Sequence, residues 1–359
     1  MSSAKYCPKN YGFILNIMFK INKLNILLPK FPENQVFDSR DIDSHSHNQS
    51  KLKPENFFNI IKKINLSEIR SSWNLASLNY NCHLSKFLLL DIQTNNSFYR
   101  GIICGVSSKT LNEELIIPHE KVFNKRVKKL QNYLDIVKIQ AEPVVFGTSF
   151  SKEINSLIKS SILNKPIIDF NYKNINYSIR HFELNDSINK FSKFYIVDGH
   201  HRTSSFKSFS KEYQNEHQLL TFLTDIKDVK SDKFTWQVID PSRHLINSIR
   251  NLKKTAFKPD TQLFWAMYKN EYYVFNKTDL KNLSIINLEK WIIKSGDKIK
   301  RYYTLGNKKY NYSNGIVFNF PTLTFNQIID SINKQEIFPQ KSTFLEPKML
   351  TGLTISELV

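Results

Sequence analysis

Asp198-Gly199-His200-His201-Arg202 gathers a carboxylate, two imidazoles and a guanidinium around one glycine. The apolar run Phe194-Tyr195-Ile196-Val197 precedes it, and the helix-compatible Thr203-Ser204-Ser205-Phe206-Lys207 follows. That order predicts strand, tight turn, helix start. A helix start offers unpaired backbone N–H groups and the positive end of its dipole. Gly199 lets a ligand approach the backbone, and the basic side chains add donors, so the turn suits a phosphate. A plainer account exists, in which Asp198 caps the helix and the histidines lie on the surface. It leaves three adjacent polar or cationic side chains without a purpose.

Two other segments carry chemistry. His119-Glu120 follows Leu115-Ile116-Ile117-Pro118. Glu120 could serve as a general base or a magnesium ligand, with His119 donating to phosphate. Equally, the pair could end a strand and place an acid in the first turn of a helix. No second ligand stands one turn away, so this is not a zinc motif. Lys341-Ser342-Thr343, with Lys348 beyond, could supply a phosphate charge and hydroxyl donors. Pro339 and Pro347 favour a fixed loop there, and the missing glycines exclude a Walker loop. Arg243-His244 offers another anion contact or a surface turn after Pro241. Asp38 is a metal ligand or a turn residue. Trp73, Trp236, Trp265 and Trp291 fit a core better than base-stacking platforms.

These residues need elements to hold them. Strands are expected at Phe87–Leu90, Tyr99–Val106, Pro143–Gly147, Phe194–Val197, Leu219–Leu223 and Phe234–Ile239. A strand–turn–strand is expected over Leu263–Phe275 around Asn270. Helices are expected at Pro54–Ile64, Lys121–Val137, Glu153–Ile162, Leu288–Ile293 and Phe325–Ile332. Residues 33–53 are polar and read as a loop. Helices and strands mix throughout, so the class is α/β or mixed α+β.

The 359 residues carry a hydrophobic content of 41%, enough for a sizeable core. A net charge of +19 suggests an anionic partner, but the Lys excess is spread along an Asn- and Ile-rich chain. It would recruit a small polyanion such as a nucleotide; nucleic acid is the weaker alternative, because there is no helix-turn-helix signature and no clustered basic helix. No apolar run reaches the length of a membrane span, and Lys20 interrupts the short run Tyr11–Phe19. No membrane association is expected. Cys7, Cys82 and Cys104 fit neither a zinc site nor a disulfide framework, which points to the cytoplasm.

Four segments in order resemble the domain-of-unknown-function 1015 family. They are Phe37-Asp38 with Pro54–Ile61, then Arg100-Gly101 with Pro118–Lys121, then Asp198–Arg202, and finally Pro339–Leu353. The resemblance implies a ParB/sulfiredoxin-like nucleotide-binding core with additional mixed-sheet subdomains. That group includes free-serine kinases with a similar Asp-Gly-His-x-Arg turn, and sulfiredoxin, which uses ATP. It further implies ATP or ADP with Mg2+ as cofactors, and a small hydroxyl metabolite, free serine foremost, as substrate. A non-catalytic nucleotide or nucleic-acid binder, or a degenerate member, is the alternative. Residues implied to bind the nucleotide are Asp198, Gly199, His200, His201, Arg202, Lys341, Ser342 and Thr343. Glu120, His119 and His201 are implied in catalysis, and Asp198 and Glu120 in metal binding. The chain departs from the pattern at Lys129-Leu130, at Thr203-Ser204 and at Arg243-His244. Residues 1–32 are expected to form an extension and first strands. Residues 33–355 are expected to form one family-wide domain, with subdomains over about 54–150 and 151–355.

Overall fold

A computed structural model describes residues 18–39, 52–63, 65–112, 115–213, 216–232, 234–276, 284–303 and 315–358. Cys7, residues 11–17 of the early apolar run and residues 40–51 of the polar stretch lie outside them.

The first half supplies β1 (Leu24–Pro29), β2 (Tyr80–Gln93), β3 (Phe98–Ser107), β4 (Ile116–Ile117), β5 (Ile139–Gln140), β6 (Val144–Thr148), β7 (Ile168–Tyr172), β8 (Ile175–Phe182), β9 (Phe194–Asp198) and β10 (Gln218–Asp225). The second supplies β11 (Lys230–Asp232), β12 (Phe234–Ile239), β13 (Lys253–Thr255), β14 (Trp265–Tyr268), β15 (Glu271–Val274), β16 (Ile299–Tyr303), β17 (Gly315–Asn319), β18 (Phe344–Glu346) and β19 (Ser356–Glu357). The helices are α1 (Pro32–Gln35), α2 (Phe57–Ile61), α3 (Leu66–Ala76), α4 (Ser108–Asn112), α5 (Asn124–Val137), α6 (Lys152–Ser161), α7 (His200–Tyr213), α8 (Arg243–Arg250), α9 (Ile285–Lys294) and α10 (Phe325–Asn333).

Two sheets organise these elements, and the class is mixed α/β. The larger runs β4-β9-β6-β10-β3-β2-β8-β7, with β1 paired to β2. Its pairing is mixed: β6 lies parallel to β10 and antiparallel to β9. The smaller sheet runs β13-β15-β14-β17-β12-β16. The larger sheet draws its strands from residues 24–225 and the smaller from residues 234–319.

The apolar runs form the buried strands. Leu88, Leu89 and Leu90 of β2 and Ile102 and Ile103 of β3 are fully buried, as expected of a sheet covered on both faces. Gly101 is needed there, because a Cβ would stand 2.5 Å from the Leu223 carbonyl oxygen of β10. The hairpin expected around Asn270 forms, with Lys269 and Asn270 both at positive φ, as a two-residue turn between twisted strands requires.

α3, the β7–β8 hairpin and α8 are among the elements not visible in the periodicity. α3 starts at Asn65, whose side chain accepts from Glu68 N, and buries Trp73. The hairpin β7–β8 pairs Ile168–Tyr172 with Ile175–Phe182 where no element was expected. α8 opens directly at Arg243, because Ser242 caps it, accepting from Leu245 N while donating to Asp297.

The C-terminal segment ties the two sheets together. Phe338 bridges to Glu120, β18 pairs with β11, Thr351 pairs with Phe37, and β19 pairs with β5. Gly352 has φ +87, and a Cβ there would meet Phe57 Cβ at 2.8 Å. The closing motif and the early Phe37/Phe57 motif therefore pack on each other.

Candidate functional site

Asp198 ends β9, Gly199 turns the chain at φ +93, and α7 begins at His200. A Cβ on Gly199 would stand 2.8 Å from Val144 Cγ1. Positive φ and lack of space both demand glycine. Asp198 is the electrostatic hub of the turn. Lys348 Nζ donates to its Oδ1, and Arg202 Nη2 donates to Oδ2 at 2.6 Å. Arg202 Nη1 reaches the Glu142 carboxylate, and Glu142 also accepts from Thr351 Oγ1 at 2.8 Å. Burial would raise the Asp198 carboxyl, but Lys348 and Arg202 together outweigh it and hold it well below the usual carboxylate range.

The segment 119–123 is laced between α7 and the C-terminal loop. His119 N donates to His200 Nε2 at 3.4 Å, and Phe123 N donates to His201 Nε2 at 2.9 Å. On the other side Phe338 N donates to His119 O at 2.8 Å, and Gln340 Nε2 donates to Val122 O. These contacts decide the state of the histidines. An Nε2 that accepts from a backbone N–H carries no proton, so both imidazoles of the turn are neutral here, with their donor capacity at Nδ1. Burial drives the same way. His201 is lowered from 6.5 to about 4, with Arg126 and Lys341 adding to the effect, and His200 falls well below its ordinary value.

Glu120 is almost fully buried. Thr343 Oγ1 donates to its Oε2 at 3.1 Å, and the Lys341 backbone N–H also supports it. Burial nevertheless raises its carboxyl, against the pull of Lys341 and Lys348. His119 Nε2 stands 2.9 Å from the same Thr343 hydroxyl. With Glu120 ionised, that hydroxyl's single proton goes to the carboxylate, so His119 Nε2–H is the donor to Thr343. Burial holds His119 at about 4, so it is neutral.

Lys341 has φ +55, a left-handed conformation that costs a lysine strain and is concentrated at functional positions. Its carbonyl accepts from Trp236 Nε1 at 3.0 Å. Its charge acts on Glu120, Asp198 and His201 alike. Segments 119–123, 198–202 and 341–348 thus converge, bringing together Glu120, His119, Asp198, Gly199, His200, His201, Arg202, Lys341, Thr343 and Lys348. Ser342 is turned inward, donating to Pro339 O at 2.7 Å, which fixes the loop. Asp38 is buried beside the Phe37–Thr351 pairing. Arg243 and His244 open α8 instead, and His244 faces a hollow against Trp291 and Lys294 of α9. Of the departures in the first half, Lys129 is exposed on α5 and Thr203 is buried in α7.

Glu142, Thr351 and Trp236 were not singled out for this site by the sequence. Glu142 has no motif beyond preceding Pro143. Trp236 reads as core, and it is fully buried, but its indole N–H serves the site.

The fold and site define a mixed α/β protein whose charged centre sits at a strand–glycine–helix turn. The profile of the protein family of unknown function DUF1015 matches residues 83–240 of the chain. A comparison with curated proteins found no match. Among solved structures the chain is similar to a C-terminally truncated SbnI from Staphylococcus aureus, at 12% identity and TM-score 0.43, covering 68% of this chain and 82% of that one. It is similar to a conserved hypothetical protein from Pyrococcus furiosus, at 12% identity and TM-score 0.37, covering 69% and 94%. It is also similar to a free serine kinase in complex with AMP, at 12% identity and TM-score 0.39, covering 71% and 92%. Among the described residues no helix is long and apolar enough to cross a membrane.

Proposed function

We propose that the chain binds ATP or ADP at the Asp198–Arg202 turn and transfers a phosphoryl group to a small hydroxyl metabolite, with free serine the first candidate. One observation carries this reading: the fold brings two carboxylates with different surroundings into one site, Asp198 bound by Lys348 and Arg202, and Glu120 almost fully buried with the Thr343 hydroxyl as donor. Such a split separates an ionised charge-holder from a group able to take a proton.

Lys341, Lys348 and Arg202 are the cations for phosphate oxygens, with the Gly199–α7 start adding backbone N–H groups. Glu120 accepts the substrate's hydroxyl proton as the new O–P bond forms and the bond to the leaving nucleotide breaks. Thr343 holds the Glu120 carboxylate, and neutral His119 holds Thr343. The work is mostly positioning and charge neutralisation. A magnesium ion arriving with the nucleotide would need only one or two protein carboxylates. Asp198 stays ionised, as such a ligand must, and Glu120 is the second carboxylate at hand. Among the described residues no three His, Cys, Asp or Glu side chains gather into a self-sufficient metal site. Bound with the nucleotide, the ion would neutralise phosphate charge.

The test is nucleotide turnover by the purified chain with serine and other small alcohols, comparing wild type, Glu120→Gln and His201→Ala. Loss of turnover in Glu120→Gln is expected. Equal turnover in all three removes the site assignment.

A further inference from the structure

The site described so far accounts for phosphates and a hydroxyl but holds nothing for the base of a nucleotide. Five aromatic side chains among the described residues are widely exposed: Phe31, Phe98, Phe123, Tyr213 and Phe257. Phe98 lies under the Arg100 guanidinium at 4.5 Å, and Tyr213 lies under the Lys138 ammonium at 4.1 Å. Of the five, Phe123 is the one in ring contact with a residue of the site. Its ring lies nearly parallel to His201, with centroids 5.8 Å apart and planes 16° from parallel.

Phe123 is also held in place. Its N–H is fixed on His201 Nε2, and its carbonyl accepts from Arg126 N and Val127 N at the start of α5. Yet 41% of its surface remains open, although burying a phenyl ring would be favourable. Lys121 and Arg126, both exposed, flank it in sequence, and Arg126 lies close enough for its charge to act on His201. A rigid, half-open aromatic ring between cations, stacked on a phosphate-site imidazole, is the arrangement that takes a nucleobase face-on.

We infer that Phe123 is the base platform of this site and that the ligand it takes is a purine nucleoside di- or triphosphate, the base stacking on the phenyl ring while the phosphates reach the Asp198–Arg202 turn. The inference rests on the nucleotide reading above. A purine offers a larger stacking face than a pyrimidine, so ADP binds more tightly than the corresponding pyrimidine diphosphate.

Calorimetric titration of the full chain with ADP and with inorganic pyrophosphate separates the base from the phosphates. For Phe123→Ala the expected result is ADP binding weakened about 10-fold or more, the scale of one aromatic stack, with pyrophosphate affinity unchanged. Phe123→Tyr, which keeps the ring, retains ADP binding. Unchanged ADP affinity in Phe123→Ala overturns the platform while leaving the phosphate site standing. An equal loss of ADP and pyrophosphate also overturns it, since Phe123 then acts only by holding His201. If the wild type binds pyrophosphate but gains nothing from the adenosine of ADP, the platform fails on its own. If it binds neither, the nucleotide reading fails, and the platform with it.

Discussion

Two partly buried ion clusters sit on the larger sheet, and they differ in how they are made. In one, Asp91 of β2 faces Arg100 of β3 directly across the antiparallel register. Arg100 forks onto it at 2.5 and 2.9 Å, and Arg180 of β8 adds a third contact at 3.0 Å. Neighbouring strands deliver every partner, and each acceptor meets a cation. In the other, Asp198 draws Lys348 from the C-terminal loop and Arg202 from α7, and Glu142 precedes β6. Beside it stand Glu120, raised by burial, and histidines kept neutral. Charge density alone therefore does not mark a site. The distinguishing property is a set of titratable groups held in mutually different states by parts of the chain that meet only in the fold.

The largest effects should separate the clusters by function rather than by stability. Asp91→Asn leaves Arg100 and Arg180 without their carboxylate and should cost about 3–5 kcal/mol, read from urea denaturation. The folded fraction should keep full nucleotide turnover. Asp198→Asn, more open to solvent, should cost about 3 kcal/mol, the lower end of that range, and should lose turnover. An Asp91→Asn protein that is folded but inactive would break the comparison.

Glu120→Gln should lower turnover by about 10²–10⁴-fold, the usual worth of a general base. Its stability effect should run the other way. The folded-state carboxyl is raised, so over the window just above the unfolded value the native state binds more protons, and ionising Glu120 lowers stability as pH rises. Glutamine removes that penalty. The variant should melt higher than wild type at pH 7, and the gap should close on acidification. A lower melting temperature at pH 7 would show Glu120 to be a structural acceptor.

A smaller effect concerns the histidines. His119 and His201 titrate near 4 in the folded protein against 6.5 ordinarily. The unfolded chain thus binds more protons across that window, and stability falls as pH drops from about 6.5 to about 4. Asp198, held low, keeps its contribution until still lower pH. Urea midpoints at descending pH should show the loss, and His201→Gln should flatten it; an unchanged slope in His201→Gln would contradict the neutral imidazole inferred here. The least effect is expected from Arg180→Lys, since Arg100 keeps both oxygens of Asp91 covered. That change should cost about 1 kcal/mol or less and leave turnover untouched. A loss well above that would make Arg180 a principal partner of the cluster.

Local chemistry was legible in the sequence where the cause is local. Apolar runs became buried strands, Asn270 turned a hairpin, and Asp198-Gly199 followed by a helix start was readable because the steric demand on Gly199 arises within a few residues. The order of motifs also placed Glu120, Lys341 and the 198–202 turn together as candidates. Arg243 and His244 show the opposite limit. Their types suggested an anion contact, but Ser242 and Asp297 commit them to the opening of α8. Only the tertiary structure decided that Glu142 and Thr351 orient Arg202, that Trp236 holds the Lys341 turn, and that backbone N–H groups of residues 119 and 123 keep both α7 histidines neutral. The chain itself set which groups can be charged. Their protonation states were left to burial and to partners far away in sequence, because desolvation and Coulomb forces depend on distance in space.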